Sequence, residues 1–228
     1  MKRSEINEAI KISKDLLERN NFRLPAFAYW TINEWEQNKD KIATIVRVMQ
    51  GWDITDFGSG RFKEVGAVLF TIRNGDIKNN GIGTPYAEKI IILQHEKGQK
   101  IPMHCHRIKT EDIINRGGGV MCIQLFGSNQ EGKLDNYVNV EVFMDGIKYC
   151  FKAGETIDIQ PGCSITLSTY IYHAFWAKKG AGDLIVGEVS SINDDKTDNF
   201  FVEQARRFSS IEEDEAILHP LVNDYDKL

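Results

Sequence analysis

The chain has 228 residues, of which 42% are hydrophobic and 27% charged, with a formal net charge of −5 at pH 7. These values suit a globular protein long enough for one substantial domain, and the acidic balance argues against a nucleic-acid-binding surface. The sequence has neither an apolar run of about 18 residues nor a signal-peptide pattern, so we expect no membrane span and a cytoplasmic protein.

The first part of the chain, residues 1–50, predicts a helical extension. Apolar residues recur at helical spacing over residues 4–20, which predicts a first helix. Thr31 and Glu34 form a capping-box pattern that predicts a short second helix. Residues 40–49 carry another periodic apolar pattern and predict a third.

From Gly51 the pattern changes to short β-branched and aromatic runs punctuated by Gly, Asn, Asp and Pro. Such runs predict antiparallel strands in a sandwich or barrel, and Asp145-Gly146 between two of them predicts a hairpin turn. After Ser190 the chain becomes polar and acidic, with a helix predicted near residues 199–208. The predicted strands are 65–72, 87–95, 120–126, 138–143, 147–151, 156–159, 164–167, 171–177 and 184–189.

We therefore expect a single domain, 1–228, with three parts. Residues 1–50 form the helical extension and residues 51–190 the β-barrel, while residues 191–228 form a C-terminal helix and tail that pack on the barrel. No linker or repeat suggests a second domain.

Four side chains predict a metal site: His104, His106, Glu111 and His173. Side chains alternate along a strand, so the His-x-His pair directs two imidazoles to the same face about 6–7 Å apart, a separation that suits one ion between them. Three imidazoles and a carboxylate, with no thiolate, favour Mn, Fe, Co, Ni or Zn. We expect open coordination positions, as in a metalloenzyme.

The other histidines and the cysteines have no comparable context. His95 is expected to be structural or exposed, whereas His219, beside Pro220 and a cluster of acids, is either structural or part of the site. The four cysteines form no CxxC pair and are expected to be reduced thiols. Cys105 lies between two ligand histidines, and strand alternation directs it away from the metal.

The spacing of these candidates resembles the first conserved motif of the cupin superfamily: Gly98-x5-His104-x-His106-x4-Glu111-x6-Gly118. Gly154-Glu155 and Pro161-Gly162 resemble the start of the second cupin motif, although His173 follows eleven residues after Gly162 instead of a few. The resemblance implies a mainly β fold, a cupin jelly-roll antiparallel barrel with two His and one Glu around a metal.

Five segments together resemble the D-lyxose ketol-isomerases: residues 24–30, 51–60, 69–75, 103–117 and 211–215. This resemblance covers nearly the whole chain and implies a cupin barrel with an N-terminal α-helical extension, a homodimer and a divalent metal, usually manganese. It also implies reversible conversion of D-lyxose to D-xylulose, and of D-mannose to D-fructose, through a cis-enediolate that the metal stabilises.

Such an isomerisation needs a proton shuttle that is not a metal ligand. Glu215 is the first candidate, because the acids after residue 211 resemble the family's late acidic block. Glu212, Glu213 and Asp214 are alternatives, and a solvated acidic surface is the structural reading of all four. Lys109, in the turn between the ligand strands, is expected either to stabilise negative charge or exchange a proton, or to be an exposed lysine.

Four further residues are candidates for sugar binding. Lys89 is a possible cation at the site, and the aromatic residues Phe27, Trp30 and Trp176 would form an apolar wall for the C–H faces of a sugar. Each of these aromatic residues, taken singly, is also typical of a protein core.

Two other functions fit parts of the sequence. A cupin iron oxygenase would use the same two histidines and carboxylate with open positions. A non-catalytic sugar-binding cupin is the second alternative, although the sequence has no helix pair or basic tract for DNA binding. A metal-assisted hydride shift also remains open beside proton transfer.

Overall fold

The computed structural model describes residues 1–192, 194, 197–203, 205 and 209–227. Within this part of the chain the dominant element is the antiparallel strand. The strands are β1 (Gly51–Thr55), β2 (Ala67–Gly75), β3 (Gly83–Leu93), β4 (Lys100–Cys105), β5 (Glu111–Gly117), β6 (Met121–Ser128), β7 (Leu134–Asp135), β8 (Val140–Met144), β9 (Ile147–Phe151), β10 (Thr156–Ile159), β11 (Ser164–Leu167), β12 (Tyr172–Ala177), β13 (Leu184–Ser191) and β14 (Phe200–Phe201).

These strands form two sheets. The larger sheet has eight strands in the order β1-β2-β3-β13-β5-β11-β8-β9. The smaller sheet has six strands: five in the order β10-β6-β12-β4-β14, and β7, which pairs with β6. The main hydrophobic core includes buried residues of both sheets, such as Ile91, Ile113, Leu125 and Phe175. The inner faces of both sheets are apolar, and this explains the two-layer packing. Strands β1 and β2 are buried on nearly every residue, because their outer face is covered as well.

The N-terminal extension contains α1 (Arg3–Arg19), α2 (Ile32–Gln37) and α3 (Ala43–Arg47), with 3₁₀ turns at Ala26–Tyr29 and Lys39–Lys41. The apolar face of α1 packs on residues of β1 to β3 in a second core cluster. None of the helices in the described residues is both long and apolar enough to cross a membrane.

The helix predictions for residues 1–50 agree with the structure except in the third segment. Thr31 and Glu34 form the predicted capping box at the start of α2. The helix predicted over residues 40–49 is shorter, because Ile42 adopts φ −94° and ψ 2° and separates a 3₁₀ turn from α3.

All nine predicted strands overlap strands of the structure, and Asp145-Gly146 forms the predicted hairpin turn between β8 and β9. Both turn residues have positive φ, +50° and +83°, as a type I′ turn requires.

The helix predicted near residues 199–208 is wrong where the structure describes this segment. Phe200 and Phe201 form the edge strand β14, which pairs with Cys105 and His104 of β4. An edge strand lets the two phenylalanines lie on opposite faces, one toward the core and one beneath Arg107. Residues 204 and 206–208 lie outside the described residues.

The C-terminal segment returns to α1 and ends in a 3₁₀ turn, Val222–Lys227. The fully buried Arg3 guanidinium donates to Asp224 at 2.9 Å and to Glu213 at 2.7 Å. These ion pairs stabilise the packing of the C-terminal segment against the N-terminal helix α1.

Candidate metal centre and active site

Three histidines of the smaller sheet converge inside the barrel. His104 is the penultimate residue of β4 and pairs directly with His173 of β12, while His106 follows β4 by one residue. All three are buried, and their ligand nitrogens lie within 4.8 Å of one another. The cross-strand pairing brings together residues 69 positions apart, so the group depends on sheet register. These three imidazoles could hold one metal ion.

Glu111 reaches the same point from the larger sheet, at the start of β5. Its Oε1 lies 3.4 Å from Nε2 of His106 and 3.1 Å from Nε2 of His173. Within the described part of the chain, Glu111 Oε1 and His173 Nε2 are buried polar atoms without a hydrogen-bond partner. Buried polar atoms are normally paired, and a cation between them would satisfy both. The donor set therefore fits a divalent transition metal.

The second nitrogen of each imidazole fixes its orientation. Nδ1 of His104 contacts the carbonyl of Pro102 at 2.8 Å, Nδ1 of His106 that of Asp198 at 2.6 Å, and Nδ1 of His173 that of Ile171 at 3.1 Å. A carbonyl only accepts, so each Nδ1 carries the hydrogen, which leaves Nε2 as the nitrogen available to a metal. Metal-binding histidines are usually oriented in this way.

The charges at the centre also suit a cation. Burial, reinforced by His173 and His106, lowers the pKa of His104 well below its usual value, so the ring is neutral. Burial alone would raise the pKa of Glu111. The charge on Lys109 and the contacts with the histidines outweigh this effect and hold the pKa of Glu111 well below its usual value. The site therefore offers neutral imidazole and an anionic carboxylate.

Beside the histidines lies a chain of alternating charges. Nζ of Lys109 is 2.7 Å from Glu111 Oε2 and 2.8 Å from Glu188 Oε1. Nζ of Lys89 is 3.7 Å from the same Glu188 oxygen, and Lys89 and Glu188 are direct cross-strand partners in β3 and β13. All four residues are buried. Buried charges are stable only when paired, so these ion pairs fix the position of each charged group relative to the proposed metal ligands.

One cavity joins the histidines and the charged chain. Its polar lining is Lys89, His104, His106, Lys109, Glu111, Glu188 and Asn199, and its apolar lining is Phe57, Leu69, Ile91, Ile101, Ile113, Phe175 and Phe201. The cavity is thus polar on the side of the histidines and acids, and apolar elsewhere, as expected for a small-molecule site.

The structure brings together six of the residues singled out from the sequence: Lys89, His104, His106, Lys109, Glu111 and His173. Lys109 is buried rather than an exposed lysine. Cys105 is buried, and all four cysteines are free thiols.

Glu215 does not lie at this cavity. Its Oε2 accepts a hydrogen bond from Asn7 at 2.9 Å, on α1, and the neighbouring acids Glu213 and Asp214 bind Arg3 and Ser4. The late acidic block therefore holds the tail to the N-terminal helix. The prediction of Glu215 as the proton shuttle needs correction for this reason.

The predicted aromatic wall also lies elsewhere. The rings of Phe27 and Trp30 pack against Trp35 at 6.3 and 5.5 Å, in a cluster of the N-terminal extension. Trp176 follows the inward-facing Phe175 in β12 and so faces away from the cavity.

The two remaining histidines have structural contacts. His219 donates through Nδ1 to the carbonyl of Trp30 at 2.9 Å and lies 2.9 Å from Nζ of Lys14. His95 pairs with Asp183 at 2.8 Å near the surface. Neither is among the residues that line the cavity.

The sequence analysis did not identify Glu188, or the phenylalanines that line the cavity where the aromatic wall was expected. Glu188 is an acid within the apolar run of β13, Leu184–Ser191, and an acid on the inner face of a buried strand was the available indication. Phe57, Phe175 and Phe201 had no local pattern that distinguished them from core residues.

A two-sheet jelly roll with three histidines and a glutamate between its sheets is a cupin-type arrangement that could hold a metal ion. The D-lyxose isomerase family model matches residues 1–225. The chain belongs to the D-lyxose isomerase family and is therefore an enzyme of the aldose–ketose isomerase class, as the motifs predicted.

Two bacterial relatives are similar to this chain over nearly its whole length. The D-lyxose/D-mannose isomerase of Escherichia coli O157:H7 is 39% identical over 227 residues, covering 99% of this chain and 98% of that protein. The protein of the same name from Serratia proteamaculans is 38% identical over 226 residues, with coverage of 99% and 98%.

Solved structures show the same fold. Acinetobacter sp. DL28 L-ribose isomerase, in complex with L-ribose, has a TM-score of 0.62 at 16% identity over 93% of this chain and 98% of that one. Ligand-free Cellulomonas parahominis L-ribose isomerase has a TM-score of 0.58 at 15% identity with the same coverage. These similarities confirm the predicted cupin-type fold with its N-terminal helical extension.

Proposed function

We propose that this chain is a metal-dependent isomerase that interconverts D-lyxose and D-xylulose, and also D-mannose and D-fructose. The observation that carries the proposal is one cavity lined by His104, His106 and Glu111 together with the charged side chains of Lys89, Lys109 and Glu188. Among the described residues, two buried atoms of the histidine–glutamate cluster, Glu111 Oε1 and His173 Nε2, have no hydrogen-bond partner. The names of the two bacterial relatives supply the sugars.

His104, His106, His173 and Glu111 would hold the metal. A divalent ion supplies positive charge against the sugar oxygens that become negative when the C2 proton leaves. With these ligands, such an ion would keep open positions for substrate oxygens, which suits a sugar with neighbouring oxygens on C1 and C2.

Glu188 is our candidate for the proton shuttle between C2 and C1. Its carboxylate lines the cavity, is buried, and belongs to no metal-ligand group, as a general base requires. It takes the proton from C2 of the aldose and returns it to C1 of the ketose. Lys109 and Lys89 stabilise its negative charge before the first transfer and after the second.

Lys109 has a second role. A proton must also move from the C2 oxygen to the C1 oxygen during the reaction, and negative charge develops on both. The ammonium of Lys109 lies between Glu111 and Glu188 and donates to both, so it can also donate to a sugar oxygen held beside Glu111. Lysine is suited to this task because its three donors rotate freely.

The apolar lining serves the carbon side of the sugar. Phe57, Phe175 and Phe201 offer ring faces on which C–H groups pack. These residues take the place of Phe27, Trp30 and Trp176 in our account of binding.

Manganese, a homodimer and a cytoplasmic location remain part of the proposal, as does the treatment of residues 1–228 as one domain. Nitrogen and oxygen ligands without thiolate support manganese among several divalent ions. Four free cysteines support a reducing compartment, and the packing of α1 and the tail on the barrel supports one domain.

The test uses the purified full chain, stripped of metal by a chelator and reloaded with Mn²⁺, Co²⁺, Fe²⁺, Ni²⁺ or Zn²⁺. D-lyxose, D-mannose and L-ribose are supplied separately, and ketose formation is followed together with dissolved oxygen. We expect D-xylulose and D-fructose without oxygen uptake. Oxygen consumption would favour an oxygenase, and sugar binding without ketose would favour a non-catalytic cupin.

The matched variants are His106→Ala and His95→Ala. The first removes a proposed ligand and should lose bound metal and turnover together, whereas the second removes a surface histidine paired with Asp183 and should keep both. Unchanged metal content in His106→Ala would contradict the ligand assignment.

A further inference from the structure

One buried aspartate outside the reacting groups contacts both halves of the site. Asp198, 4% exposed, lies between β13 and β14. Its carboxylate accepts hydrogen bonds from the backbone N–H groups of Arg107 at 2.8 Å, Ile108 at 3.1 Å and Lys109 at 2.9 Å. Its main-chain carbonyl accepts from Nδ1 of His106 at 2.6 Å.

The loop that Asp198 contacts joins the two ligand strands. It runs from His106 to Thr110, directly before Glu111. The side chains of Arg107, Ile108 and Thr110 are exposed, and that of Ile108 is 65% accessible to solvent. Burial of these side chains therefore does little to hold the loop backbone in place. Three successive N–H groups that converge on one carboxylate form an anion-binding nest, and such charge-assisted hydrogen bonds are strong.

The segment that carries Asp198 holds the loop at a second point. The guanidinium of Arg107 stacks 3.7 Å from the ring of Phe200, and Phe201 pairs with His104 across β14 and β4. The segment and the loop therefore share hydrogen bonds, a cation–π contact and a strand pairing.

The two contacts of Asp198 act on different groups. The carbonyl orients the ring of His106 and belongs to the main chain, so a side-chain substitution leaves it in place. The carboxylate fixes the backbone of Lys109, whose ammonium bridges Glu111 and Glu188. A lysine side chain is long and flexible, so the position of its backbone decides whether the ammonium reaches both acids.

We propose that the Asp198 carboxylate is a positioning residue for isomerisation, which acts on Lys109 through the amides of residues 107–109. This inference rests on the proposed function, because it concerns the placement of the ammonium between Glu111 and Glu188. Asp198 touches no reacting atom in this account. Its side chain serves the proton-transfer half of the site, while its carbonyl serves the metal half.

The substitution Asp198→Asn tests the proposal, since it keeps the size of the side chain but presents an NH₂ group to the N–H nest. We expect kcat with D-lyxose to fall about 10- to 100-fold, the range for a misplaced catalytic group, with a smaller change in KM. Manganese affinity should fall by less than the roughly 10-fold loss typical when a ligand's hydrogen-bond partner is removed. The amides of Arg107, Ile108 and Lys109 should exchange hydrogen faster.

Asp145→Asn is the matched control. The Asp145 carboxylate accepts the N–H and hydroxyl of Ser164 at 2.8 and 2.9 Å in the β8–β9 turn, so the same change occurs at an aspartate outside the cavity lining. We expect kcat, metal affinity and exchange at residues 107–109 to match the unmodified chain.

Unchanged kcat in Asp198→Asn would overturn the proposal. A parallel loss of kcat and manganese affinity would also overturn it, because Asp198 would then support the fold or the metal centre as a whole. Should Asp198→Asn fail to fold, Asp198→Glu, which displaces the charge by one methylene, is measured by the same criteria. Absence of ketose with the unmodified chain would refute the proposed function, whereas turnover that survives the substitution would refute only the positioning role.

Discussion

The ammonium of Lys109 lies 2.8 Å from Oε1 of Glu188, and both side chains are buried beside the histidine cluster. This pair joins a loop between β4 and β5 to the middle of β13. The same ammonium is 2.7 Å from Glu111. Because Glu188 itself is not one of the proposed metal ligands, a change at Glu188 should affect proton transfer more than metal binding.

Glu188→Gln is the direct test of the proton shuttle. The amide keeps the size of the side chain but cannot take up the C2 proton, so we expect kcat to fall about 10²- to 10⁴-fold, the usual contribution of a general base. Metal content, measured by atomic emission, should stay near that of the unmodified chain.

Glu215→Gln is the control for this experiment, because Glu215 binds Asn7 on the N-terminal helix. It should keep kcat close to the unmodified value. A nearly inactive Glu215→Gln chain with an active Glu188→Gln chain would reverse the assignment.

The route of the transferred hydrogen can be read from isomerisation in D₂O. With Glu188 as the shuttle, we expect solvent deuterium at C1 of the ketose, because a carboxylic acid formed in the cavity exchanges its hydrogen with solvent. The measurement is proton NMR of the isolated D-xylulose. Complete retention of the substrate hydrogen would instead support a hydride shift.

Aromatic packing on the sugar is tested at Phe201, whose ring lies 5.4 Å from the ring of His104 and 5.6 Å from that of Phe57. Phe201→Leu should raise KM for D-lyxose roughly 2- to 10-fold, since an aromatic contact contributes about 0.5–1.5 kcal/mol. Trp176→Leu, on the outer face of β12, should leave KM unchanged. Equal effects on KM would argue against the cavity assignment.

The tail network predicts sensitivity to acid. Hydrogen bonding to Arg3 lowers the pKa of Glu213 from 4.5 to about 2. A carboxyl whose pKa is lower in the folded state stabilises the fold fully above the unfolded pKa, and this stabilisation is lost as pH falls from about 4.5 toward 2. The effect is modest, because the Glu213 side chain is 45% exposed and solvent screens the pair.

Glu213→Gln should therefore lower the free energy of unfolding at pH 7 and flatten its decline between pH 4.5 and pH 3, as measured by urea titration at each pH. Glu131→Gln, at an exposed turn beside Lys133, serves as the control and should follow the unmodified chain. A decline in Glu213→Gln as steep as in the unmodified chain would contradict the role of this carboxylate.

Part of the site was readable from short stretches of sequence. His104, His106 and Glu111 lie within eight residues, and the alternation of one strand and the length of one turn determine how they meet. His173 followed from the same motif logic, even though its spacing departs from the cupin pattern. Lys109 was found because it lies inside the ligand turn.

Other parts required the register of distant strands. Glu188 meets Lys109 across 79 residues, and Asp198 reaches the 107–109 loop across about 90. Glu188 lies in an apolar strand and Asp198 in a polar segment, and neither local sequence indicates which residues they contact. The family resemblance predicted Glu215 as a site residue because it located an acidic block in the sequence. It did not indicate which surface that block faces in the fold.

The sequence by itself determined the strand-rich jelly roll, the helical extension, the family and the candidate metal ligands, because periodicity and short spacings act through the local geometry of one strand or turn. Only the tertiary structure decided which acid and which aromatic rings share the cavity with those ligands. That choice depends on sheet pairing and on which face of each strand is buried, and both are properties of the whole core.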